Sequence, residues 1–226
     1  MIILSDTDIV HKLACCQLLL EFLQLMECPP NTMWVLPALP QMLRRKLSKA
    51  PEATMNFEEF MKKVGSIPAA KVETLDRFSS LDVGEQQLLA VLCDELRVKH
   101  LVTGDKRALN KIAALTFVDL QLKQRLDETS FLCFETVMLA LLEKRGFGIV
   151  QARVLNKWAK LPGQQVDGVI LKAFPPGGDA EFAIKVLQGH LDVLQISLPP
   201  LQFRSIAQAR EGRSQAKTLR TSLVAS

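Results

Sequence analysis

Short apolar runs that each lead into a helix-forming segment constrain this chain most. Residues 1–5, 32–36, 98–103 and 116–120 are apolar, short, and bounded by acids, prolines or glycines. Such runs read as buried strands, because a strand covered on both faces loses the alternation of a half-exposed one. Between them lie segments with helical spacing. Over 9–26 the polar residues Gln17, Glu21 and Gln24 recur at intervals of four and three, as one stripe on an otherwise buried helix. Residues 41–47 and 107–114 read as shorter helices. Residues 56–80 read as two amphipathic helices broken at 65–68. After 80–85 a helix carries Leu88, Leu89, Val91, Leu92 and Leu96 on its apolar side. Strands alternating with helices predict an α/β domain with a mainly parallel sheet over 1–122.

Beyond 122 the strand signals fade. Residues 129–145, 150–160, 165–173 and 180–195 read as helices, punctuated by glycine and proline, so 123–200 is expected to be an α-helical extension. Residues 201–226 are expected to form a basic, flexible tail. From Gln202 onward Arg204, Arg210, Arg213, Lys217 and Arg220 face only Glu211, which accounts for the whole net charge of +4. The body is neutral, so its charge does not make it a nucleic-acid binder as a whole. No apolar run approaches the length of a membrane span, and the N-terminus has no basic region before its first acid. Neither a membrane partner nor a signal peptide is expected. Cys15, Cys16, Cys28, Cys93 and Cys133 contain no C-x-x-C pair and read as thiols in a reducing compartment, the cytoplasm.

Chemistry is expected at the strand ends. Asp6 directly follows strand one and Asp105 directly follows strand three. In an open parallel sheet the carboxyl ends of the strands share one edge, where ligands bind. The two acids are therefore predicted to be neighbours, with Asp8 close by. Clustered carboxylates repel and call for a cation. A hard divalent ion such as Mg²⁺ or Mn²⁺ suits oxygen ligands, polarises a phosphate and yields hydroxide from bound water. The same residues also fit structural roles. Aspartate is a favoured helix N-cap, and Asp82 with Glu85 fits a capping box.

Three segments carry a family resemblance. Ile3-Leu4-Ser5-Asp6-Thr7-Asp8 resembles the opening strand and first acid of PIN domains, a family of metal-dependent ribonucleases. Leu81-Asp82-Val83-Gly84-Glu85 is similar to a glycine–glutamate helix found in one branch of that family. Leu101-Val102-Thr103-Gly104-Asp105 resembles its strand ending in Thr-x-Asp. The resemblance covers 1–122. It implies a three-layer α/β/α fold with an acidic pocket and phosphodiester hydrolysis dependent on Mg²⁺ or Mn²⁺, most naturally of RNA. It implies that Asp6 and Asp105 hold metal and that Glu85 completes the coordination or positions water. Thr103 would orient Asp105, and Asp8 would give support. The family usually places a second acid on the helix after strand two. Here Gln41 and Met42 stand at that position. That departure keeps a second reading open, a PIN-like interaction module that binds protein or nucleic acid without hydrolysis. An antitoxin-like protein and a second copy of the chain are further partners left open. Asp6-Thr7-Asp8 also resembles the first motif of haloacid dehalogenase-like phosphatases, in which the first acid is a nucleophile and the second a general acid.

Overall fold

The computed structural model describes residues 1–4, 7–27, 29, 31–161 and 166–208. Six strands form one sheet: β1 (Ile2–Leu4), β2 (Met33–Val35), β3 (Gly65–Ser66), β4 (His100–Val102), β5 (Ser130–Leu132) and β6 (Gln202–Phe203). Their order across the sheet is β3-β2-β1-β4-β5-β6. Every pairing is parallel. The helices are α1 (Thr7–Cys15), α2 (Leu19–Leu25), α3 (Leu39–Leu47), α4 (Pro51–Met61), α5 (Val72–Asp76), α6 (Val83–Asp94), α7 (Lys106–Leu115), α8 (Leu120–Asp127), α9 (Phe134–Arg145), α10 (Phe147–Asn156), α11 (Gly168–Ala173) and α12 (Ala180–Ser197). The chain is thus α/β, as its sequence predicts.

Successive side chains on a strand point to opposite faces, and here both faces are covered. Ile2 and Leu4 enter a core built mainly with α1–α4 and α9–α11. Ile3 enters the opposite core, with α6, α7 and α8. Val102 and Leu132 divide from Leu101 and Phe131 in the same way. All the residues of β1, β4 and β5 are buried, which explains why they are apolar apart from His100 and Ser130 at the starts of β4 and β5.

The single helix expected over 9–26 is two. Gln17 takes a left-handed φ of 56°. The Leu18 N–H donates to Leu13 O at 2.8 Å and the Gln17 N–H to Ala14 O at 2.9 Å. This is a Schellman stop, and it normally uses glycine. With glutamine there instead, the periodicity runs on through the break. The Gln17 side chain also receives Arg153 Nη1 at 2.6 Å.

The strand expected at 116–120 does not form. Asp119 caps α8 there, its side chain accepting from the Leu122 N–H at 2.8 Å. Phe117, Val118 and Leu120 stand 79%, 81% and 77% exposed. The strand lies instead at Ser130–Leu132, inside the stretch read as helical, and α9 starts only at Phe134. The helices expected within 123–200 do form as α9–α12, but β5 lies among them and β6 ends the sheet beyond them. Among the described residues no helix is long and apolar enough to cross a membrane. Cys15, Cys16, Cys93 and Cys133 are free thiols, and Cys28 lies outside the described residues.

Candidate functional site at the carboxyl edge of the sheet

The strand order reverses at β1, between β2 on one side and β4 on the other. Leu4 of β1 stands in register with Val102 of β4. The two chains therefore leave the sheet side by side, at the switch point where open parallel sheets bind ligands. Asp6 lies outside the described residues. Beyond β4, Thr103 is buried, and its N–H donates to Leu132 O at 3.0 Å, tying the exits of β4 and β5 together. Asp105 follows as the N-cap of α7. Its Oδ1 accepts from the Arg107 N–H at 2.9 Å and the Ala108 N–H at 3.2 Å. The capping role weighed from the sequence is thus occupied, with Asp105 held at the lip of the crevice.

Glu85 comes from the other side. It is the third residue of α6, and Asp82 is its N-cap. The Glu85 N–H donates to Asp82 Oδ1 at 2.9 Å, and Glu85 Oε2 accepts from the Asp82 N–H at 3.3 Å. The capping box is therefore present. It does not exhaust the carboxylate. Lys111 of α7 places its Nζ 3.1 Å from Glu85 Oε1 and 2.8 Å from Oε2. It also lies 4.0 Å from Asp82 Oδ2. The hydrogen bonds that Lys111 donates to Glu85 raise its pKa above the ordinary value against the opposing effect of desolvation, and the charges of Glu85, Asp82 and Asp105 add to this. Glu85 and Asp82 thus hold one ammonium, and the Asp105 charge further favours its protonated form. Lys111 is a residue that sequence reasoning missed.

Asp8 goes elsewhere. It pairs with Lys12 at 2.6 Å, and Lys12 also meets Asp167 at 2.8 Å. The Lys12 ammonium lies 5.1 Å from the centre of the Phe134 ring. Burial lowers the Lys12 pKa, but Asp167 and Asp8 outweigh it and the net shift is upward. Gln41 and Met42 lie exposed on α3 and offer no carboxylate. Asp119 is engaged by the α8 N-terminus and by Arg77 at 2.7 Å.

Glu135, another residue missed from the sequence, is 9% exposed at the second position of α9, directly beyond β5. Reading 129–145 as one helix hid it. A strand ending at Leu132 would have marked a third acid at a strand exit. Burial pushes the neighbouring Cys133 thiol up to about 12, and the Glu135 charge adds to it. No thiolate nucleophile is available at that position.

Among the described residues no three His, Cys, Asp or Glu side chains converge as a ready metal-ligand group. Glu85 and Asp105 offer hard carboxylate oxygens of the kind Mg²⁺ and Mn²⁺ take. The donor chemistry fits such an ion, with Lys111 as the competing cation. No protein-family model, curated protein or solved structure matches this chain.

Proposed function

We propose that this chain is a PIN-like, three-layer α/β/α hydrolase that cleaves RNA phosphodiesters with Mg²⁺ or Mn²⁺. One observation carries this reading: Asp105 caps α7 just beyond β4, whose end stands in register with that of β1, and Glu85 of α6 bonds Lys111 of the same α7. Asp6, Asp105 and Glu85 would hold the metal, which when bound supplies Lewis-acid polarisation of a phosphate and a lowered pKa for a bound water. The chain's own residues set the stage. The N–H groups of Arg107 and Ala108 fix the Asp105 carboxylate. The capping box fixes the backbone at Glu85. Lys106 and Arg107, exposed at the start of α7, are placed to meet a phosphate backbone. The free thiols suit a reducing compartment such as the cytoplasm.

A second reading has its own observation. Both Glu85 oxygens are already bonded by Lys111, and residues 41–42 supply no acid. A chain whose acids are neutralised internally would act as an interaction module. Cleavage of a labelled single-stranded RNA with Mn²⁺, with Mg²⁺ and with EDTA separates the two. The expected result is metal-dependent cleavage that Asp105→Asn abolishes. Asparagine caps helices as well as aspartate does, so this variant removes charge and keeps the fold. Absence of cleavage above the Asp105→Asn level overturns the hydrolase in favour of the module.

A further inference from the structure

β6 is the last strand of the sheet, and an end strand presents unpaired N–H and C=O groups to any passing strand. On its inner side β6 pairs with β5, with the Arg204 N–H donating to Phe131 O at 3.2 Å. Its outward groups alternate with these and include Leu201 O and the Phe203 N–H. These two are occupied by one side chain. Gln195 of α12 donates from Nε2 to Leu201 O at 3.0 Å, and its Oε1 accepts from the Phe203 N–H at 3.2 Å. In a parallel ladder, a residue on the neighbouring strand donates to the carbonyl before a given residue and accepts from the N–H after it. The Gln195 carboxamide makes the same two bonds around Gln202. It is a one-residue substitute for a seventh parallel strand.

We propose that Gln195 is an edge plug that keeps the β6 edge from pairing with a strand edge of a second copy of this chain. The setting makes such a plug useful. The same helix also exposes Val193 and Ile196, at 58% and 80%. An open backbone edge on a molecule with exposed apolar side chains favours association between copies. A carboxamide is suited to the task because it carries one donor and one acceptor on a planar group, as a peptide does. Pairing of β6 with β6 of a second copy would be isologous and close as a dimer, whereas pairing of β6 with β3 of a second copy would be heterologous and open.

The test uses the full chain, with Gln195→Ala and Gln195→Glu, followed by amide hydrogen exchange at Phe203 and by sedimentation velocity. Thermal unfolding confirms that each variant is folded. In Gln195→Ala the Phe203 amide is expected to exchange faster, on the order of fivefold for one lost hydrogen bond, and the variant should self-associate at concentrations where the wild type does not. Gln195→Glu keeps an acceptor for the Phe203 N–H and adds a charge at the edge. Its second oxygen faces Leu201 O, acceptor against acceptor, so Phe203 should exchange faster than in the wild type, while the added charge should keep the variant sedimenting as the wild type. Unchanged Phe203 exchange in Gln195→Ala overturns the proposal. So does a fast-exchanging Gln195→Ala that sediments as the wild type. So does a Gln195→Glu variant that self-associates.

Discussion

Arg125 shows how much a single side chain can organise. It is 6% exposed. Its Nε donates to Leu92 O at 2.8 Å, its Nη2 to Val98 O and, at 3.3 Å, to Glu95 O, and its Nη1 to Thr129 Oγ1 at 3.3 Å. Those carbonyls belong to the last turn of α6 and the loop into β4, groups that a helix end leaves without partners. A planar fork spans them and a lysine ammonium cannot. Arg125→Lys should therefore destabilise the chain by about 2 kcal/mol, since each buried carbonyl left unsatisfied costs about 1–3 kcal/mol. Thermal unfolding should register a fall of about 4–8 °C. Lys111 is the opposite case, half-exposed and devoted to charge rather than stability. On the hydrolase reading, Lys111→Met frees both Glu85 oxygens, and Mn²⁺ should bind several-fold more tightly, as measured by the electron paramagnetic resonance of free Mn²⁺. Unchanged affinity would mean that Lys111 does not compete for the site.

At the scale of elements, caps decide where helices begin. Asp105 opens α7, and the Asp82–Glu85 box opens α6. On the hydrolase reading a local role and a functional one would share the same carboxylates, because helix N-termini at a sheet's carboxyl edge gather both N–H donors and acids. Apart from the Gln17 break between α1 and α2, local patterning misled where an element was too short to show a period. The apolar residues at 116–120 look like a strand, yet the Asp119 cap and its Arg77 partner commit them to the start of α8. The three residues of β5 are preceded by Thr129 and followed by Cys133, and their apolar run merges with that of α9. A run that short fits a strand or a buried helix turn equally well.

For the molecule as a whole, the tie between the first helix and the C-terminal third is ionic. Lys12 of α1 bonds Asp167, which caps α11 and accepts from the Val169 and Ile170 N–H groups. Partial burial pushes the Asp167 pKa up, but Lys12 and those N–H groups prevail and hold it below its ordinary value of 3.8. A carboxyl whose pKa is lower in the folded state binds fewer protons there than in the unfolded chain. Its contribution is present above about pH 3.8 and lost as pH falls through the folded value. Asp167→Asn should accordingly lower stability at pH 6, and the gap to the wild type should narrow as pH falls below 3.8. Denaturant titrations at the two ends of that range measure it. An unchanged gap would show that the ion pair contributes nothing to folding.

Sequence by itself determined β1, β2 and β4 and their alternation with helices, but not β3, which lies where the pattern reads as a break between two helices. It also determined the two-sided burial of the central strands and the placement of Asp105 and Glu85 at helix starts. Each of these is written in nearest-neighbour chemistry: apolar runs, caps and periodic stripes. Only the tertiary structure decided which charges meet. Lys111 lies 26 residues from Glu85, and Asp167 lies 155 from Lys12. Gln195 seals a strand that the sequence assigned to a tail. No local pattern encodes such encounters, because a side chain's electrostatic partner is set by how layers pack, and packing is a property of the closed fold.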